Sequence, residues 1–362
     1  MRLDLRRTAV GILDRVVRWA SDPVTDSSEE IPLEGIQKVL VIRRDRLGDL
    51  LLATPAIRAL RQGIPEAPLT VLASTTVADA IEGNPWVDRI VRMAPAGGIG
   101  FVTSYLKVAR ELRRQHFDLV FDFTYDFTFA SALICRLARG ISSVGFCVRG
   151  REVYHDLAVE PEPGSRYEAE RSFELLEAVG VERGDPIPVR PMIYPSVAHR
   201  KEVAEFLKNS GLDGTMLIGI HPGARRGPHR WPWDRFAELG RRLIDGRRRG
   251  ILITWGRGEG KLARRVAKAI GGGAFPTPQT SPRLLAAFLE RCCLFVTGDT
   301  GPMHVAVAVG TPVLCLSGRS DRARWGPPEE GVHRAIGGKR CREITVDEVL
   351  SVASDMVQYG GA

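Results

Sequence analysis

No stretch of this 362-residue chain offers the roughly 20 consecutive apolar residues that crossing a bilayer requires. Every apolar run is of strand length or is broken by glycine, proline or charge, so no transmembrane helix is expected. The first residues carry arginines but neither an uninterrupted apolar region nor a small-residue cleavage site, which argues against a secretory signal. The six cysteines, Cys135, Cys147, Cys292, Cys293, Cys315 and Cys341, lack the paired spacing of a metal site, and no metal is expected. Cys292 and Cys293 are neighbours that a mutual disulfide would strain. All six are read as small buried apolar residues of a reducing cytosol. No GxGxxG follows the first strand pattern and no P-loop signature occurs, which removes support from a nicotinamide dehydrogenase and from a P-loop NTPase.

What the chain does have is positive charge: a formal +8 with a pI near 9.4, which favours an anionic partner such as nucleic acid, an acidic lipid surface or a phosphorylated substrate. No nucleic-acid module is recognisable and the basic stretches hold few aromatics, so a nucleic-acid-binding protein is the weakest of these readings. At this length a single core normally splits, and two domains are the default. The opening "MRLDLRRTAVGILDRVVRWASDP" sets Leu5, Ala9, Ile12, Val16 and Trp19 on one helical stripe, with Arg2, Arg6, Arg7, Arg15 and Arg18 mostly elsewhere. Such a helix either anchors the protein on an anionic membrane or packs on its own protein. Residues 21–35 are polar and read as a linker.

From Lys38 onward short β-branched runs alternate with helical patterns. "KVLVIR", "LTVLA", "VDRIVRM" and "DLVFDF" precede the Pro-rich "GDPIPVRPMIYPS" at residues 184–196, and "MLIGIHPG", "GILITW", "CLFVTGD" and "PVLCLSG" follow it. This alternation predicts α/β architecture with parallel sheets covered on both faces. The expected units are an extension over 1–35, a first domain over 36–190 and a second over 191–362. Ligands of such sheets bind beyond the carboxyl ends of the strands.

Three segments carry candidate chemistry. In "RRDRLGDLLLATP" a single carboxylate, Asp49, stands where the first strand ends and an apolar helix begins. It is either a reactive group aimed into a cleft or an acidic residue favoured by the helix dipole. In "LFVTGDTGPMHVAVAVGTPVLCLSG", Thr300 is placed to cap a helix, Pro302 lies in its first turn and Gly310 just past its end. The amides near Thr300 and Gly301 form a phosphate site or a purely structural corner. In "HPGARRGPHRWPWDRFAEL", Arg225, Arg226, His229 and Arg230 precede a helix beginning near Trp233 and are read as phosphate ligands or as a solvated run. "WGRGEG" adds Glu259 beyond a strand, where a carboxylate can accept from ribose hydroxyls.

In their order along the chain, with the Asp49 segment first, the His221–Leu239 segment second and the Thr297–Gly318 segment third, and at this spacing, the three resemble glycosyltransferase family 9, the ADP-heptose:lipopolysaccharide heptosyltransferases, over roughly residues 36–330. The resemblance implies a GT-B fold of two facing Rossmann-like domains, the first holding an acceptor and the second a nucleotide sugar. It implies Asp49 as catalytic base, Glu259 near the ribose, and Asp299, Thr300, Gly301 and His304 in the donor motif. Many members have a lysine two residues before the Trp-Pro pair; His229 stands there, followed by Arg230, so that phosphate contact passes to an arginine or is weakened. Arg44 and Arg46 would hold Asp49 ionised and grip an acidic, lipid-linked saccharide. The implied activity is inverting, metal-independent transfer of a heptose or related sugar from an ADP-sugar, without a cofactor, at the inner face of a bacterial membrane. A nucleotide-sugar epimerase of the same architecture is the alternative enzyme.

Overall fold

The computed structural model describes residues 31–44, 46–94, 101–125, 129–138, 140–148, 154–164, 166–183, 189–224, 230–244, 249–318, 322–326, 332–338 and 340–359. The basic helix expected near the N-terminus and the stretch from Arg225 to His229 lie outside them. The first half runs β1 (Val39–Ile42), α1 (Leu47–Leu52), α2 (Thr54–Gly63), β2 (Leu69–Ser74), β3 (Arg89–Met93), α3 (Phe101–Arg113), β4 (Leu119–Asp122), α4 (Phe129–Ala138), β5 (Ser142–Phe146), β6 (Leu157–Val159) and α5 (Glu168–Glu177). The second half opens with α6 (Val197–Asn209), β7 (Met216–His221), α7 (Trp233–Ile244), β8 (Arg249–Ile253), α8 (Gly260–Ile270) and β9 (Ala274–Pro276). It continues with α9 (Pro282–Leu289), β10 (Cys292–Gly298), α10 (Gly301–Val309), β11 (Val313–Ser317), α11 (Arg322–Trp325), β12 (Arg334–Gly337) and α12 (Val346–Tyr359).

These strands form two six-stranded sheets, in the orders β3-β2-β1-β4-β5-β6 and β12-β11-β10-β7-β8-β9, with every pairing parallel. Counted from its own first strand, each sheet has the order of a doubly wound nucleotide-binding domain, whose crevice opens between the first and fourth strands. That crevice lies between β1 and β4 in one sheet and between β7 and β10 in the other. Four strands, β5, β6, β9 and β12, were not anticipated from the sequence. Of these, β6, β9 and β12 are edge strands of three or four residues whose exposure is intermediate to high, so they need no long apolar run.

Strand parity explains how the sheets are covered. Val39 and Val41 of β1 join one apolar cluster, while Leu40 and Ile42 join another with Tyr105, Val108 and Leu112 of α3 and Leu133 of α4. The second sheet does the same: Ile218, Ile220, Leu294 and Val296 face α7, α8 and α12, whereas Leu217 and Phe295 face inward. The inward cluster is shared by both halves, uniting Val41, Leu50, Leu51 and Phe173 with Phe288, Phe295, Met303 and Val305. Burying each such leucine or phenylalanine contributes about 1.5–3 kcal/mol, so the halves are held by a common apolar layer.

Polar contacts pin the same junction. The Asp79 carboxylate accepts from the Arg283 amide at 3.0 Å at the start of α9, the Met192 amide donates to Thr54 Oγ1 at 2.8 Å, and Arg190 Nε donates to the Val307 carbonyl at 2.9 Å. The described cysteines carry no disulfide; Cys147 and Cys293 are partly exposed and the other four are buried. Among the described residues, no helix is long and apolar enough to cross a membrane.

Candidate active site

The site is built where the two sheets present their C-terminal ends to each other through α1 and α10. Helix α1 begins at Leu47, and Asp49 is its third residue, buried to 7% exposure. Its Oδ2 accepts from the Arg46 amide at 3.2 Å, so the helix-terminus role is filled by a real hydrogen bond. Its other oxygen lies 3.7 Å from Nη2 of Arg43. The same guanidinium donates from Nε to the Asp49 carbonyl at 3.1 Å, from Nη1 to the Phe123 carbonyl and from Nη2 to Glu168 Oε1 at 2.9 Å.

The ion pair seen at Asp49 thus involves Arg43, a residue the sequence reading passed over in favour of Arg44 and Arg46. Period-two alternation is the physical reason: Arg43 continues the face of Val39 and Val41, toward α1 and α5, whereas Arg44 continues the face of Leu40 and Ile42. Arg44 is buried beside Tyr105 of α3, and its positive charge partly opposes the rise that burial imposes on the Tyr105 hydroxyl pKa. The Arg46 side chain is exposed, and its backbone is what reaches Asp49.

Opposite α1, the second half presents α10. Thr300 occupies the N-cap position in extended conformation, but its hydroxyl faces back to the Gly298 carbonyl at 3.4 Å and Thr297 Oγ1 at 3.3 Å rather than bonding the first-turn amides. Pro302 sits in the first turn, and Gly310 ends the helix at φ 80°, a left-handed conformation that costs glycine little. Asp299 and Gly301 are half-buried at this turn. His304, one turn on, is buried at 4% exposure with Nδ1 unpartnered, and burial lowers its pKa to about 4, so the ring is a neutral imidazole.

The two helix starts are in direct contact. A Cβ placed on Gly48 would stand 2.6 Å from Cδ2 of His304, and one on Gly301 would stand 3.2 Å from Cβ of Leu47. Asp49 and the amide end of α10, distant in sequence, are therefore neighbours across one glycine–imidazole contact.

Around the second crevice, Glu259 precedes α8 and its Oε2 accepts from the Gly256 amide at 2.9 Å while lying 3.8 Å from Nε2 of His221. The carboxylate rests against Gly223, where any Cβ would collide with it. His221 is buried, its Nδ1 is 3.0 Å from Thr254 Oγ1, and burial lowers its pKa although the Glu259 charge opposes the shift. Arg230 is exposed and donates to the Ala224 carbonyl at 2.6 Å. Arg225, Arg226 and His229 lie outside the described residues. Sequence reasoning missed Arg43, His221 and Glu168; strand parity could have found the first two, and no local pattern marks Glu168.

Comparison with known proteins agrees with this arrangement. The sequence model of glycosyltransferase family 9 (heptosyltransferase) matches residues 105–345, more than half of the chain; Asp49 lies before the matched residues. Over 315 residues the chain is 27% identical to lipopolysaccharide heptosyltransferase 3 of Escherichia coli strain K12, covering 83% of this chain and 88% of that protein. The family 9 glycosyl transferase structure from Veillonella parvula superposes with a TM-score of 0.82 at 21% identity, covering 92% of this chain and all of the other. An E. coli heptosyltransferase solved with ADP gives 0.72 at 20% identity, covering 88% of this chain and 100% of the other. At such identities the structural likeness carries the fold alone, a GT-B arrangement, and it is the family match that supports the stronger conclusion: the chain belongs to glycosyltransferase family 9 (heptosyltransferase).

Proposed function

We propose that the protein is an inverting, metal-independent heptosyltransferase that moves a heptose or related sugar from an ADP-sugar to a lipopolysaccharide core acceptor at the inner face of the bacterial membrane. The observation that carries this reading is the packing of α1 against α10, which sets a buried carboxylate of one half beside the helix N-terminus of the other. In the proposed step an acceptor hydroxyl gives its proton to Asp49 and forms a bond to the anomeric carbon. The bond from that carbon to the diphosphate breaks, and its electron pair leaves with ADP. A base on one side of the sugar and the leaving group on the other entail inversion.

The leaving diphosphate gathers negative charge, which the N-terminus of α10 and the arginines before α7, Arg230 with Arg225 and Arg226, would stabilise in place of a metal ion. Asp299, Thr300, Gly301 and His304 would line this donor site, and Glu259 would accept from the ribose. Arg44 and Arg46 would serve an acidic acceptor, with the donor half beginning near residue 191. The E. coli relative named lipopolysaccharide heptosyltransferase 3 supports the choice of acceptor, and the E. coli heptosyltransferase solved with ADP supports the choice of donor. The amphipathic basic helix expected from the sequence near the N-terminus would hold the enzyme on an anionic membrane surface.

The test is Asp49→Asn, which keeps shape and one acceptor oxygen but removes basicity. Transfer from ADP-heptose should fall by about 10²–10⁴-fold, the usual contribution of a general base, with ADP affinity unchanged and turnover insensitive to EDTA. Wild-type turnover in the variant would return Asp49 to its hydrogen bond with the Arg46 amide and nothing more. Conversion of the donor in the absence of acceptor would favour an epimerase.

A further inference from the structure

Glu168 opens α5 with its side chain almost wholly buried, at 2% exposure, and each of its oxygens serves a different half of the molecule. Oε1 accepts from Nη2 of Arg43 at 2.9 Å, the arginine that also lies against Asp49. Oε2 accepts from Nε of Arg324 at 2.8 Å, and Arg324 belongs to α11, on the carboxyl rim of the second sheet. Arg171 approaches Oε2 at 3.8 Å, and the guanidinium groups of Arg171 and Arg324 lie 4.2 Å and 4.9 Å from the centre of the Tyr125 ring.

A carboxylate needed only to start α5 would gain from the helix dipole at the surface, without burial and without a cation from the opposite half. Burial of this ion set gives little net stability relative to apolar packing, and its best-attested use is to specify one geometry. We propose that Glu168 is a positioning residue for sugar transfer: it clasps Arg324 when the donor half is docked and in the same act fixes Arg43 against Asp49, so that the base is set only in the closed arrangement. This rests on Asp49 being the base.

The experiment is a double-mutant cycle of Glu168→Gln and Arg324→Gln, with Arg324→Lys as the conservative control, read as kcat and donor KM with ADP-heptose and a core oligosaccharide acceptor. Each single change should lower kcat by about tenfold or more, with donor KM within about threefold, and the double variant should be no more than about twofold worse than the poorer single. Arg324→Lys should recover most of the loss. A helix-stabilising role alone would lower thermal stability, leave kcat per folded enzyme unchanged and act independently of Arg324. Losses that multiply, or Arg324→Gln at wild-type kcat, overturn the proposal. Should Glu168→Gln fail to fold, Arg324→Gln and Arg324→Lys decide by themselves, because Arg324 sits half-exposed on a four-residue helix. Asp49→Asn separates the two readings. Full turnover there sinks both, whereas an inactive Asp49→Asn with uncoupled Glu168 and Arg324 sinks only the clasp.

Discussion

At the first sheet's crevice, between β1 and β4, Arg43 stretches across to the Phe123 carbonyl and on to Glu168, so the opening is occupied by the protein's own charges. At the second sheet's crevice, between β7 and β10, the chain instead carries Gly223 and Gly301, a carboxylate folded against a glycine, and a threonine whose hydroxyl faces away from the helix start. The two sheets share one strand order. One architecture is thus filled in two ways: internally paired ions hold a side chain across the first crevice, whereas at the second the glycines let Glu259 and Leu47 pack directly against the backbone.

Removing the internal charge at the first crevice has the largest expected effect. Arg43→Met leaves Asp49 and Glu168 buried without the cation between them and should cost about 3–5 kcal/mol of stability in urea unfolding. Arg230→Ala on the exposed donor side should stay within about 0.5 kcal/mol. Comparable losses at both positions would erase the distinction.

Next in size is the acid response of the second rim. The His304 ring has its pKa lowered from 6.5 to about 4 by burial, so the unfolded chain takes up a proton before the native state does. Its contribution is therefore intact above pH 6.5 and lost as pH falls toward 4, with a full size on the order of 3 kcal/mol. His304→Gln should flatten that part of the stability–pH curve, and an unaltered curve would contradict a buried neutral ring.

Smaller still is the effect at the junction. Gly48→Ala forces its methyl into the buried His304 ring and should cost about 1–3 kcal/mol, accompanied by slower transfer. Least of all, Gly223→Ala should displace Glu259 and weaken ADP binding by about tenfold, or 1.4 kcal/mol, with little change in unfolding. A calorimetric ADP titration reads this, and unchanged affinity would remove Glu259 from the donor site.

The alternating runs, the start of α7 at Trp233 and the Thr300–Gly310 limits of α10 were legible because they depend on neighbours a few residues apart. Strand periodicity and helix ends obey the same local rules in any protein. The short edge strands were not, since β9, for instance, is three half-buried residues given shape by pairing with β8. Local pattern sufficed for a doubly wound α/β chain, for Asp49 and Thr300 at strand-to-helix turns, and for the order of motifs that marks the family. The packing of the two halves alone settles that Gly48 meets His304 and that Glu168 receives Arg324 from across the junction. Those contacts join residues up to 256 positions apart, from Gly48 to His304, and such pairings follow from how two finished sheets pack, which no local pattern encodes.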